Sequence, residues 1–199
     1  YEANTKMAEI NRKLQVSVQE QHKQLEKERK KVLYALLRVA RENTCYDKNY
    51  MERLQSNCRI MAEAMQLSTQ FGHLISNNFV EIIELACPLC DIGNLAIPTN
   101  VLQKQEPLSD EDRSIIKTHT TKGAQILKDV EGTGEDNGFI RMATEIAHFH
   151  HENWDGSGYP NGVKEDEIPL SAQIVSIVSV YCALTENRTF RKAFSREEA

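Results

Sequence analysis

The sequence contains no uninterrupted apolar run of the twenty or so residues that a bilayer-crossing helix needs, so no transmembrane segment is expected within it. It has no secretory leader either, since the opening residues YEANTKMAEI are polar. Basic charge is not in excess: 24 Lys and Arg stand against 29 Asp and Glu, for a net charge of −5 and a pI of about 5.7. That balance argues against binding duplex nucleic acid through an extended basic face, while leaving room for a local basic pocket for one small phosphate ligand. Strand-type alternation and internal repeats are both missing. The five cysteines are an odd number scattered over 199 residues, which is not a disulfide framework and favours reduced thiols in a cytoplasmic setting. Tyr1 in place of Met, and a closing FSREEA that reads as the first turn of a further helix, lead to the expectation that the chain is cut from a longer protein and truncated at its C-terminus.

What is present is helical. A chain of 199 residues suffices for one well-buried domain plus an appendage. Residues 5–42 read as one long helix, in which Leu14, Val18, Gln21, Leu25, Glu28, Val32, Ala35 and Val39 alternate steps of four and three. This is the heptad seam of a coiled coil, interrupted by two polar residues that can set register. It predicts a dimer stalk over residues 1–43. The alternative is a solvated helix packed on its own domain. Residues 44–199 then form the main domain. MERLQSNCRIMAEAMQL presents Leu54, Cys58, Met61, Ala62 and Met65 on one face, and NNFVEIIELACPL is a more apolar helix. SDEDRSIIKTHTTKGAQIL opens on Ser109 as N-cap with acidic residues in its first turn. Gly138 to Glu152 is another helix, leading into the turn-rich loop NWDGSGYPNG, and LSAQIVSIVSVYCALTENR is helical and strongly apolar. The fold class is all-α.

Three segments carry chemistry: CDIGNLAIP at Cys90–Pro98, His119 within IIKTHTTKGAQIL, and HHENWDGSGYP at His150–Pro160. Together they supply a carboxylate and several imidazoles at helix ends or inner faces, a donor set that suits Fe, Mn or Zn better than Mg or Ca. A single His is usually a hydrogen-bonded core or surface residue. The adjacent His150 and His151, followed by Glu152, Asp155 and a Gly-rich turn, are harder to read that way. Cys87 and Cys90 form CPLC, which can signify a redox pair or half a zinc site. The first belongs at a strand-to-helix junction and the second wants another such pair, and neither is found, so two small buried residues one turn apart is the favoured reading. His148 is read as packing or surface.

In their order and spacing these segments resemble the HD-GYP family, a branch of the HD phosphohydrolase superfamily, whose pattern runs approximately HDIGKIGIP, K-x-H-x-x-x-G, HHExWDGxGYP and ALTxxRxYR. The resemblance covers all but the N-terminal helix. It implies an HD-type helical bundle around a two- or three-metal centre that opens cyclic di-GMP by metal-activated water. Carried over singly, Asp91 matches the bridging carboxylate, and His119, His150 and His151 match the imidazoles that hold one metal with it. The partner position is depleted: Cys90 replaces the His of the HD pair, Ser179 the Asp of the late helix, and Tyr50 a His of the first domain helix. Tyr46 falls where trinuclear members carry a carboxylate, and Asn94 stands for a Lys. Arg188 and Arg191 match phosphate-binding positions, and the loop residues Trp154, Gly158, Tyr159 and Pro160 match a surface that meets diguanylate cyclase-type proteins, the equal alternative for Trp154 and Tyr159 being packing that braces the loop. The expectation is a degenerate, homodimeric regulatory module binding cyclic di-GMP, another small phosphate or a partner protein. It would hold one divalent Fe, Mn or Zn, or none, with Asp91 as the catalytic carboxylate of an impaired phosphodiesterase. The alternative is an active phosphodiesterase with a single-metal site or one rebuilt around Cys90.

Overall fold

The computed structural model describes residues 2–42, 49–131, 138–186, 192–195 and 197–199, and all regular structure among them is helical. The chain divides into two compact units, residues 1–35 and 36–199. The first consists of the greater part of helix α1 (Glu2–Glu42). Its charged flanks are laced by exposed pairs one turn apart: Glu9 to Lys13 at 2.7 Å, and Glu28 to Gln24 and Lys31, both at 2.9 Å. Such pairs contribute only about 0.2–0.5 kcal/mol each. The seam residues Leu14, Val18, Leu25 and Val32 are all exposed.

The second unit is a bundle. Its described helices are α2 (Tyr50–Gln66), α3 (Asn77–Ala86), the short α4 (Thr99–Leu102), α5 (Asp110–Lys117), α6 (His119–Glu131), α7 (Gly138–Phe149) and α8 (Leu170–Leu184). Leu54, Cys58 and Ala62 of α2 recur every four residues and are buried, as are Val80, Ile83 and Ala86 of α3. Helix α7 sits at the centre, packed against α3, α6, α8 and the 3-10 segment Cys87–Ala96, and buries Phe139, Ile140, Ala143, Ile146 and Ala147. Two helix starts are fixed by serine caps, the one at Ser109 as the sequence suggests. The Ser76 hydroxyl accepts from the Phe79 amide, and Ser109 and Asp112 form a reciprocal capping box.

Three boundaries differ from the sequence reading, each for a local reason. The apolar run NNFVEIIELACPL leaves the α-helix at Ala86, because Pro88 cannot donate to the ladder and the chain tightens into the 3-10 segment. The helix opened by Ser109 is interrupted at Thr118, whose hydroxyl bonds back to the Ile115 carbonyl at 2.6 Å. Helix α7 ends at Phe149, ahead of the histidine pair rather than beyond it.

Glycine decides the approach that matters most. A Cβ on Gly93 would lie 1.9 Å from the His119 carbonyl oxygen and 2.7 Å from the Gly123 amide nitrogen. Only a bare backbone lets the 3-10 segment touch the first turn of α6. That contact puts Asp91, two residues earlier, beside His119.

Candidate metal site

The site is built from three helical pieces. Asp91 comes from the 3-10 segment, His119 opens α6 directly after the break at Thr118, and His150 and His151 follow the last turn of α7. His119 Nε2 and His150 Nε2 stand 3.4 Å apart, and Asp91 Oδ1 lies 3.6 Å from the first and 3.9 Å from the second. His151 completes the group, its ring centroid 4.1 Å from that of His150 and 5.1 Å from that of His119.

The tautomers follow from the outer contacts. His119 Nδ1 donates to the Ile116 carbonyl at 2.7 Å, and His150 Nδ1 to the Ile146 carbonyl at 2.9 Å. A carbonyl only accepts, so the protons sit on Nδ1 and each Nε2 carries a lone pair. Two lone pairs facing one another beside a carboxylate is an arrangement that a cation relieves. Ligand atoms about 2.0–2.2 Å from a cation at tetrahedral angles lie roughly 3.3–3.6 Å from each other. The observed spacings are close to that, so these residues fit a divalent ion. Burial favours the neutral, ligating form. It lowers the His150 pKa to about 4, the Asp91 charge opposing and the neighbouring His119 assisting. Burial, then His150 and His119, lowers that of His151 to about 2.

Beside Asp91 and the histidine pair lies a pocket of about 210 Å³, lined by Tyr50, Cys90, Asp91, His150, His151 and Ser179 among others. The three positions read as replaced ligands are therefore brought together, next to the carboxylate. Ser179 Oγ donates to the Ser176 carbonyl at 2.9 Å, within its own helix. Cys90 Sγ, an Asp91 oxygen and a His150 nitrogen all lie within 4.8 Å of one another. Among the described residues, the sets suited to a metal are this one and His119, His150 and His151.

The loop after His151 is clamped to the site. Gly158 packs where a Cβ would lie 2.3 Å from the Asn153 amide and 2.5 Å from the His151 carbonyl oxygen. The Tyr159 amide donates to that carbonyl at 3.1 Å, and the Tyr159 ring stacks on the His151 imidazole at 4.7 Å. Lys117 Nζ lies 5.0 Å over the same ring. Burial and the Asp91 charge raise the Tyr159 pKa, keeping its hydroxyl protonated. Glu152, although next to the histidine pair, is spent on the loop: its carboxylate accepts from the Asn161 amide at 2.7 Å and the Gly162 amide at 3.2 Å. His148 Nε2 accepts from the Asn161 side chain at 3.3 Å. Pro160 is partly buried after a cis peptide bond, and Trp154 is exposed. Cys58, Cys87, Cys90 and Cys182 are buried thiols without a disulfide among the described residues. Tyr46, Arg188 and Arg191 lie outside the described residues.

Sequence reasoning missed two supports, the backbone approach at Gly93 and the Glu152 clamp, while the Tyr159 stack accords with reading that residue as packing that braces the loop. Only Gly93 had a local signal, a glycine two residues after the carboxylate in a buried segment. Comparison with known proteins agrees with the geometry. A protein of Vibrio cholerae named "Probable cyclic di-GMP phosphodiesterase" is 33% identical over 187 residues, which is 94% of this chain and 42% of that protein. A "Cyclic di-GMP phosphodiesterase" of Thermotoga maritima is 41% identical over 125 residues, 63% of this chain and 33% of that protein. A "3'3'-cGAMP-specific phosphodiesterase 2" of Vibrio cholerae is 30% identical over 169 residues, 85% of this chain and 30% of that protein. The chain thus spans well under half the length of these relatives. The family profile described as HD domain matches residues 46–199, and with the HHENWDGSGYP segment in place, the chain belongs to the HD domain family, of the HD-GYP type.

Proposed function

We propose that this chain is a cyclic-dinucleotide signalling module that holds one divalent transition metal through Asp91, His119, His150 and His151 and has impaired phosphodiesterase activity. The observation that carries the reading is the donor set around Asp91. Buried imidazole nitrogens converge on its carboxylate at 3.6 and 3.9 Å. The pocket shared by Asp91, His150 and His151 is otherwise faced by Tyr50, Cys90 and Ser179, which add no further imidazole or carboxylate. A divalent ion bound there supplies Lewis acidity toward a phosphate oxygen and a water of lowered pKa. Asp91 alone cancels one of the two positive charges, so a phosphodiester anion is favoured as long as no second anionic ligand joins. The pocket volume of about 210 Å³ suits an ion and a phosphate group, so the bases of a dinucleotide must lie outside it. Lys117, over the Tyr159 ring that stacks on His151, is offered as a cation for the outer phosphate. Turnover is impaired because an in-line displacement gains most when a second cation clamps the leaving oxygen.

The relatives named for cyclic di-GMP and 3'3'-cGAMP supply the substrate class. Arg188 and Arg191 are offered as further phosphate contacts, the loop around Trp154, Gly158, Tyr159 and Pro160 as a surface for diguanylate cyclase-type proteins, and the cytoplasm as the setting. The exposed seam of α1 supports a homodimer. Elemental analysis of purified protein tests the metal reading, with one transition metal per chain expected and Asp91→Ala reducing retention at least tenfold. Hydrolysis of either dinucleotide is then followed with metal-loaded protein. Two metals per chain, with rapid hydrolysis abolished by Asp91→Ala, would instead establish the active phosphodiesterase.

A further inference from the structure

We infer that Cys90 is itself a metal ligand, and that its thiolate, together with Asp91 and His150, makes this centre selective for thiophilic cations and electrically neutral once loaded. The inference rests on the metal-holding reading above and deepens it. The two cysteines of CPLC are placed differently. Cys87 Sγ donates to the Glu84 carbonyl of α3 at 3.6 Å, and Cys90 lines the pocket with Asp91 and His150. The sulfur, a carboxylate oxygen and the imidazole nitrogen are within 4.8 Å of one another, close enough for one cation to meet all three. Cys90 is almost fully buried, so the sulfur is presented to the pocket rather than to bulk water. Ser179 offers no competing anion, its hydroxyl being engaged with the Ser176 carbonyl.

As the sulfur–metal bond forms, the thiol proton passes to solvent, and no electron changes hands. Thiolate selects zinc, cadmium or cobalt over manganese or magnesium. Two anionic ligands cancel a divalent charge, so a phosphodiester is attracted less than to an imidazole-and-carboxylate centre. The substitution of a thiol thereby lowers turnover beyond the loss of other ligands.

Cobalt(II) titration of the full chain tests this. The wild type is expected to show visible d–d bands together with a near-ultraviolet sulfur-to-cobalt charge-transfer band. In Cys90→Ser, and in Cys90→His as a second variant in case the first fails to fold, the charge-transfer band disappears while the d–d bands remain. The preference for cadmium over manganese should fall at least tenfold, the scale on which ligand-environment changes alter metal affinity. Wild-type d–d bands without charge transfer would overturn the thiolate inference and leave the retained imidazole site standing. A charge-transfer band that survives in both variants would also overturn it, by assigning the sulfur to another cysteine. Absence of any cobalt spectrum would overturn both this inference and the metal-holding function.

Discussion

At Gly93 a single absent side chain sets the distance between two ligands. An added methyl group meets the His119 carbonyl at 1.9 Å, a backbone atom that cannot rotate away. Gly93→Ala should therefore destabilise the domain by about 1–3 kcal/mol, the range for overpacking a filled interior, and should lower metal retention with it. Urea unfolding and elemental analysis read the two effects, and an unchanged midpoint would show that the segment shifts without cost. The four proposed metal-binding positions Asp91, His119, His150 and His151 were picked out in sequence because their order and context repeat a known pattern, and the fold brings them together. The supports at Glu152 and Gly93 were not picked out, because they act through backbone contacts that become neighbours only after folding. Glu152 shows the difficulty well: a carboxylate adjacent to two ligating histidines invites a metal role, yet its oxygen takes two loop amides.

At the scale of elements, amphipathic spacing and capping residues located the helices, while local chemistry decided where they stop. Pro88 and the back-bonding of Thr118 each shortened a run that hydrophobic pattern alone continues. The start of α5 carries a pH-dependent term. Asp112 has its pKa lowered to about 2, first by its hydrogen bond to Lys104, then by the backbone and hydroxyl of Ser109. Its folded pKa lies below the ordinary value of 3.8, so its contribution is complete above that value and is lost as pH falls through about 2. Thermal unfolding should show wild type above Asp112→Asn at pH 5, the gap closing between about pH 4 and 2. A gap that stays constant over that range would mean that the pairing contributes nothing through its charge.

For the whole molecule, the bundle buries a continuous core around α7, whereas the N-terminal unit leaves Leu14, Val18, Leu25 and Val32 exposed. An apolar stripe of this spacing is satisfied by a second helix of the same kind. Sedimentation should report a dimer for the full chain, and Leu25→Glu should shift it toward monomer, raising the dissociation constant at least tenfold. A monomeric wild type at micromolar concentration would remove the stalk. Spacing alone suggests the seam because heptads are a local property. Which surface covers it is not local, and no spacing in a single chain encodes it. One feature of the domain bears on how a signal reaches the metal. His151 is gripped twice by the loop that follows it, through its carbonyl by the Tyr159 amide and through its ring by the Tyr159 face. The same loop carries Trp154 into solvent. The exposed indole and the buried imidazole are thus tied to one short loop, so that a change in the position of that loop reaches His151 through a few residues of chain rather than through a helix.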